Sequence, residues 1–193
     1  MGTENSGSEG GAPDSSGTAT TVRQAMYWEA SAINRLIHDS MRTYSSLAGI
    51  REDHLESLHD GIPEIIAAMR NSIVLVALDE SSTVVGTVRL CSRKVDQYPE
   101  ASVFKDQEYP DNATVLYLTR FAVLQSNRGS GIGSLLISSA EQIARSEGVP
   151  YLLLHTALSN EAVAGFYLRR GFAIDSVDLS RDYPRALFYK KLF

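Results

Sequence analysis

The alternation of apolar and polar positions divides this chain into a short polar lead and a long patterned body. Residues 1–19 are Gly, Ser, Thr, Pro and acidic residues without apolar periodicity, which predicts a disordered tail. Residues 20–26 read as a first strand. Across residues 27–47, Ile33, Leu36, Ile37, Met41 and Tyr44 recur at helical spacing, and Gly49 ends the helix. Residues 51–59 predict a second, short helix. Pro63 then suits the first turn of another helix, with Ile65, Ile66 and Met69 on one face. Residues 73–78 and 84–90 are strands around the turn Asp79-Glu80-Ser81-Ser82, a predicted hairpin. A polar loop spans about 94–113. Beyond it come a strand (115–124), a glycine-rich turn, an amphipathic helix (132–146), an apolar strand (151–156) and a helix from Asn160 to Arg170. Two closing strands, 172–177 and 185–192, pair around Asp182-Tyr183-Pro184. Hairpins mixed with helical crossovers predict an α/β fold with helices on both faces of a sheet, and one domain over residues 20–193.

Composition narrows the field. A chain of 193 residues with 44% hydrophobic content can bury one core. Its net charge of −5 and its lack of a basic run argue against a nucleic-acid partner. No run of 18 apolar residues is present, so no membrane partner is expected, and neither is a signal peptide. Cys91 is the single cysteine, which excludes an internal disulfide. A cytoplasmic location is expected. His38, His54, His59 and His155 have no metal-ligand spacing, and the first three are expected on helix surfaces. Asp96, Glu100, Asp106, Glu108 and Asp111 surround Lys105, which reads as a solvated loop or as a rim that draws a cationic amine.

The chemistry concentrates at Gln125-Ser126-Asn127-Arg128-Gly129-Ser130-Gly131-Ile132-Gly133-Ser134. Glycines bare the backbone where a strand passes into a helix. First-turn N–H groups lack intrahelical partners and the helix dipole adds positive charge, so an anion such as a phosphate fits there. A Walker loop would need a Lys after the glycines, and none follows. A dinucleotide fingerprint would need a third Gly at position 134 or 136, which are Ser and Leu.

The spacing Gln125-x-x-Arg128-Gly129-x-Gly131-x-Gly133 resembles the acetyl-CoA pyrophosphate loop of the GCN5-related N-acetyltransferases. Downstream, Asn160 through Phe166-Tyr167 to Gly171-Phe172 resembles a second segment of that family, in the same order. The resemblance implies a mixed, mostly antiparallel sheet whose fourth and fifth strands splay apart to admit acetyl-CoA. It implies acetyl transfer to a primary amine of a small molecule or peptide, and a possible homodimer. Arg128, Gly129, Ser130, Gly131, Ile132, Gly133 and Ser134 then hold the pyrophosphate. The backbone of Phe121, Ala122 and Val123 grips the pantetheine arm and the acetyl carbonyl. Tyr167 matches the acid that protonates the departing thiolate, or packs on the core. Asn160 matches a pantetheine contact, and Asn also suits a helix N-cap.

The general base departs from the pattern. The position that carries a Glu in many relatives is Tyr117, and no carboxylate lies on this strand. An amine of pKa ~10.4 is mostly protonated at pH 7, a penalty of roughly 4 kcal/mol. Three routes stay open: a water relayed by Tyr117 or Thr119, His155 acting directly or serving only as a structural histidine, or an acceptor of low pKa. Strand alternation places Arg120 opposite Tyr117 and Thr119. The alternatives to N-acetyl transfer are a longer acyl group, an oxygen acceptor, or an acyl-CoA sensor without turnover.

Overall fold

The computed structural model describes residues 20–99, 101–105, 113–179 and 181–193; the tail expected over 1–19 lies outside them. The elements run β1 (Thr21–Gln24), α1 (Ala30–Ala48), α2 (Ile62–Asn71), β2 (Ile73–Leu78), β3 (Val84–Lys94), α3 (Ser102–Lys105), β4 (Thr114–Val123), α4 (Ile132–Ser146), β5 (Tyr151–Ala157), α5 (Glu161–Arg169), β6 (Ala173–Asp178) and β7 (Arg185–Lys191). The strands form one sheet in the order β1-β2-β3-β4-β5-β7-β6. Every neighbouring pair is antiparallel except β4–β5.

Helices cover both faces. On one face α4 buries Ile132, Leu136, Ile137, Ala140 and Ala144, a helical stripe set against Leu116, Leu118, Leu152 and Phe188. Each fully buried Leu or Ile there contributes about 1.5–3 kcal/mol through apolar area removed from water. On the other face Ile33, Leu36 and Ile37 of α1 pack with Ile65 of α2 over Val74 and Val76. Gly49 closes α1 at φ 65°, a left-handed position that favours Gly. Pro63 sits in the first turn of α2 as its fixed φ predicts.

Two expectations need correction. The helix expected over 51–59 is two 3₁₀ turns, Glu52–His54 and Glu56–Leu58, because Leu55 between them is extended. The polar loop expected from 94 is partly ordered structure. Strand β3 continues to Lys94, and Ala101 and Phe104 anchor the following segment against Val115, Tyr151 and Leu153.

A bulge shapes β4. Thr119 pairs with Arg89 and Ala122 with Thr87, so β4 has one more residue than β3 over this stretch. Arg120 absorbs the excess at φ 54°. Such bulges bend a strand and re-aim its side chains. No helix among the described residues is long and apolar enough to cross a membrane.

Candidate active site

Strands β4 and β5 pair only at Leu116–Leu152 and Tyr117–Leu153. Past Tyr117 the two part, while β5 stays paired with β7 on its other side. The parting opens into a cleft of about 1340 Å³. Residues opposite one another in a ladder point to the same face. By that rule Arg89 and Cys91 of β3, Tyr117 and Thr119 of β4, His155 and Ala157 of β5 and Arg185 of β7 share the cleft-side face.

The glycine loop forms one end. Gly131 is the N-cap of α4 at φ 91°, and Gly129 sits at φ 85°. The first helical bond runs from Leu135 N to Gly131 O, so the amides of Ile132, Gly133 and Ser134 precede the ladder. A Cβ on Gly133 would stand 3.2 Å from both Phe121 and Phe166 rings, so the helix seats directly on them. Arg128 is exposed and its Nε donates to Val123 O at 3.3 Å. Two side chains of the loop turn away from the helix N-terminus. Ser130 Oγ turns back to Asn127 O (2.7 Å), and the Ile132 side chain lies in the core, so only their main chain faces an anion.

Tyr167 reaches the cleft from the α4–α5 face. It is 4% exposed, and its ring packs against Phe166, Phe172 and Phe121 at centroid distances of 5.3, 5.5 and 5.9 Å. Burial raises its hydroxyl pKa well above the usual phenol range. Asn160 serves as the N-cap of α5, its Oδ1 accepting from Val163 N at 3.3 Å. Its Nδ2 is buried without a hydrogen-bond partner among the described residues, a donor that costs free energy until something accepts from it.

Tyr117 and His155 meet across the strand pair, Oη to Nδ1, at 3.0 Å. Tyr98 stacks on Tyr117 at 6.1 Å. Burial, with Arg185 adding to it, lowers the His155 pKa to about 4, so the imidazole is neutral near pH 7. Burial also raises the Tyr117 pKa. As a direct base His155 is therefore weak.

Several residues in the cleft or behind its lining escape sequence reasoning. Asp60, between the 3₁₀ turns and α2, takes Arg120 Nε at 2.7 Å and Arg120 Nη2 at 3.2 Å, with Arg89 Nη2 at 3.4 Å. Arg120 thus lies with Thr119, whose Oγ1 accepts from its Nη1 at 3.3 Å, and not on the opposite face as simple alternation predicts; the bulge turned it. His38, expected on the surface, is half-buried and with Asn34 holds the Asp60 carbonyl at 2.9 and 2.7 Å. Glu56–Arg181 and Asp178–Arg185 add ion pairs at 2.7 Å each. Tyr44 of α1 accepts from Ala157 N at 2.7 Å, an amide left open where β5 parts from β4. In sequence Tyr44 shows only as an apolar position on a helix. Among the described residues no group of three or more His, Cys, Asp or Glu could hold a metal ion.

Known proteins share this fold. In fold the chain is similar to the PaiA N-acetyltransferase of Thermoplasma acidophilum, a structure in complex with coenzyme A. The TM-score is 0.68 at 18% identity, covering 90% of this chain and 99% of that one. A GNAT-family acetyltransferase of Listeria monocytogenes also gives 0.68, at 20% identity over 90% of this chain and 95% of that one. Among curated proteins, the N-alpha-acetyltransferase 30 of Schizosaccharomyces pombe is 27% identical over 77 residues, 40% of this chain. The match spans about half that protein's length (51%). The acetyltransferase (GNAT) family profile matches residues 33–172. A family match over most of the chain means that this protein belongs to the GNAT acetyltransferase family.

Proposed function

We propose that the protein is an acetyl-CoA-dependent N-acetyltransferase that acts on a primary amine of a small molecule or peptide, by direct attack, within one domain over residues 20–193. Acetyl-CoA is the family's cosubstrate and supplies an acetyl group activated as a thioester. One observation carries the reading: a single cleft joins the bare helix N-terminus at Gly131, the orphaned Asn160 Nδ2 and Tyr167 through the parting of β4 and β5. The chain's residues fit such a molecule. The amides of residues 132–134 and Arg128 offer donors and positive charge to a pyrophosphate. Asn160 Nδ2 offers a donor to an amide-bearing arm. Phe121, Ala122 and Val123 lie on the part of β4 that β5 has left.

In this reading Tyr167 holds its proton at Oη through the neutral range and gives it to the departing thiolate, whose acid has pKa ~8.5. Tyr117 Oη, held by His155 Nδ1, positions the amine or a water beside it. With His155 so weakly basic, the amine proton leaves to water at Tyr117 or Thr119. That same weakness favours a second reading, an acyl-CoA sensor without turnover.

Calorimetric titration with acetyl-CoA, with desulfo-CoA and ATP as controls, tests the cofactor site, and thiol release over an amine panel tests transfer. Micromolar binding of the CoA compounds with amine-dependent thiol release is the expected result. Binding without thiol release would leave the sensor; no binding by folded protein would overturn both readings.

A further inference from the structure

The cleft-side face around Tyr117 and His155 is rich in guanidinium groups. Arg89, Arg120, Arg181 and Arg185 stand there, and the carboxylates paired with them are Asp60, Glu56 and Asp178. Among the described residues this set carries one positive charge in excess. The excess falls on Arg89. Asp60 gives its close bonds to Arg120, at 2.7 and 3.2 Å, and reaches Arg89 only at 3.4 Å. That contact is the one side-chain hydrogen bond Arg89 makes among the described residues, although its side chain is only 17% exposed. Arg89 lines the cleft, and its remaining N–H groups have no acceptor among the described residues. A guanidinium so placed calls for an anion, and a planar carboxylate matches its fork of donors.

The position is close enough to the dyad to matter. Arg89 pairs with Thr119 and Cys91 with Tyr117, so Arg89 stands two residues along β3 from the level of Tyr117. Two residues span roughly 7 Å, the reach of a few covalent bonds.

Resting on the transferase reading, we infer that the acceptor is a small amine that bears a carboxylate, such as an amino acid, with the carboxylate on Arg89 and the amine at Tyr117 and His155. The same cations serve the chemistry. They disfavour a nearby ammonium, as Arg185 and Arg181 disfavour protonation of His155. The bound amine is thereby shifted toward its neutral, nucleophilic form at a site where, among the described residues, the carboxylates are paired with arginines. A polycationic amine meets repulsion there instead.

The test compares matched acceptors with the full-length protein: an amino acid, its carboxamide, the amine lacking the carboxyl group, the aminophosphonate analogue, and a linear polyamine. Thiol release from acetyl-CoA is followed at steady state. The amino acid is expected to exceed its amide in kcat/KM by roughly tenfold to a hundredfold, the range for a charge-assisted hydrogen bond. Arg89→Gln is expected to bring that ratio close to one, with the loss carried by KM for the acid. Preference for the amide, the polyamine or the phosphonate would overturn the inference and leave the transferase reading intact, as would an acid-to-amide ratio unchanged by Arg89→Gln. The comparison in wild-type protein decides the matter even where the variant does not fold. Absence of thiol release with every amine would overturn the transferase reading and the inference with it.

Discussion

Two residues carry separable predictions. Tyr167 is wrapped by Phe121, Phe166 and Phe172, so Tyr167→Phe keeps the packing and removes only the hydroxyl. We expect kcat to fall at least ~100-fold, the lower range for a positioned acid, with acetyl-CoA affinity within about threefold. Steady-state kinetics beside calorimetry checks this, and equal losses in both would sink the acid role. His155 predicts a pH effect on stability. Its folded pKa, about 4, lies below the unfolded value of 6.5, so between these values the unfolded chain binds the proton that the folded chain refuses. Stability therefore falls as pH drops from 6.5 towards 4, by about 3 kcal/mol between pH 7 and pH 4. The groups around the ring are Tyr117 of β4, Arg185 of β7, Asp178 of β6 and Arg181 between those two strands. Carboxylates such as Asp60 and Glu29, whose pKa values are lowered, begin to give up their contribution only as pH falls through the unfolded values of 3.8 and 4.5, and finish below them. Urea unfolding at pH 7, 5 and 4 should show a shallower decline for His155→Gln; an identical decline would place the effect elsewhere.

At the scale of elements, the start of α4 is the sensitive point. A Cβ on Gly131 would meet nothing within 4 Å, so its constraint is the backbone at φ 91° and not space. A β-branched residue there costs of order 1–3 kcal/mol or makes the helix start elsewhere, turning the first amides away from the cleft. Gly131→Val is expected to weaken acetyl-CoA binding at least tenfold by calorimetry. Gly49→Ala, at φ 65° on the end of α1, is a control that strains a helix terminus outside the loop and should leave binding alone. Unchanged affinity in Gly131→Val would remove the loop from the binding site. The helix 132–146 was legible in sequence because periodicity and bare glycines are local signals. The bulge in β4 was not, because its extra residue is defined only by the register against β3.

At the scale of the molecule, the cleft draws on α1, β3, β4, β5, β7 and the glycine loop together. A ligand that spans the parted strands stabilises the native state alone. Acetyl-CoA at about 100 times its Kd should add about 2.7 kcal/mol, or roughly 5–11 °C in unfolding midpoint for a chain of this size. Desulfo-CoA should match it and ATP should fall short in thermal denaturation; no rise at saturating acetyl-CoA would mean that the cleft does not hold it.

The order of the seven strands and the longer helices, the glycine turn, the cap at Gly49 and the family could be read from the sequence, because each rests on spacing or backbone freedom over a few residues. The tertiary structure alone decided which charges meet. Asp60 joins Arg120 across 60 positions, Tyr117 joins His155 across 38, and Tyr44 joins Ala157 across 113. No local pattern encodes those encounters. They follow from sheet register, from one bulge and from the parting of two strands, and burial where they meet sets the protonation of His155 and leaves Arg89 with a single long contact among the described residues.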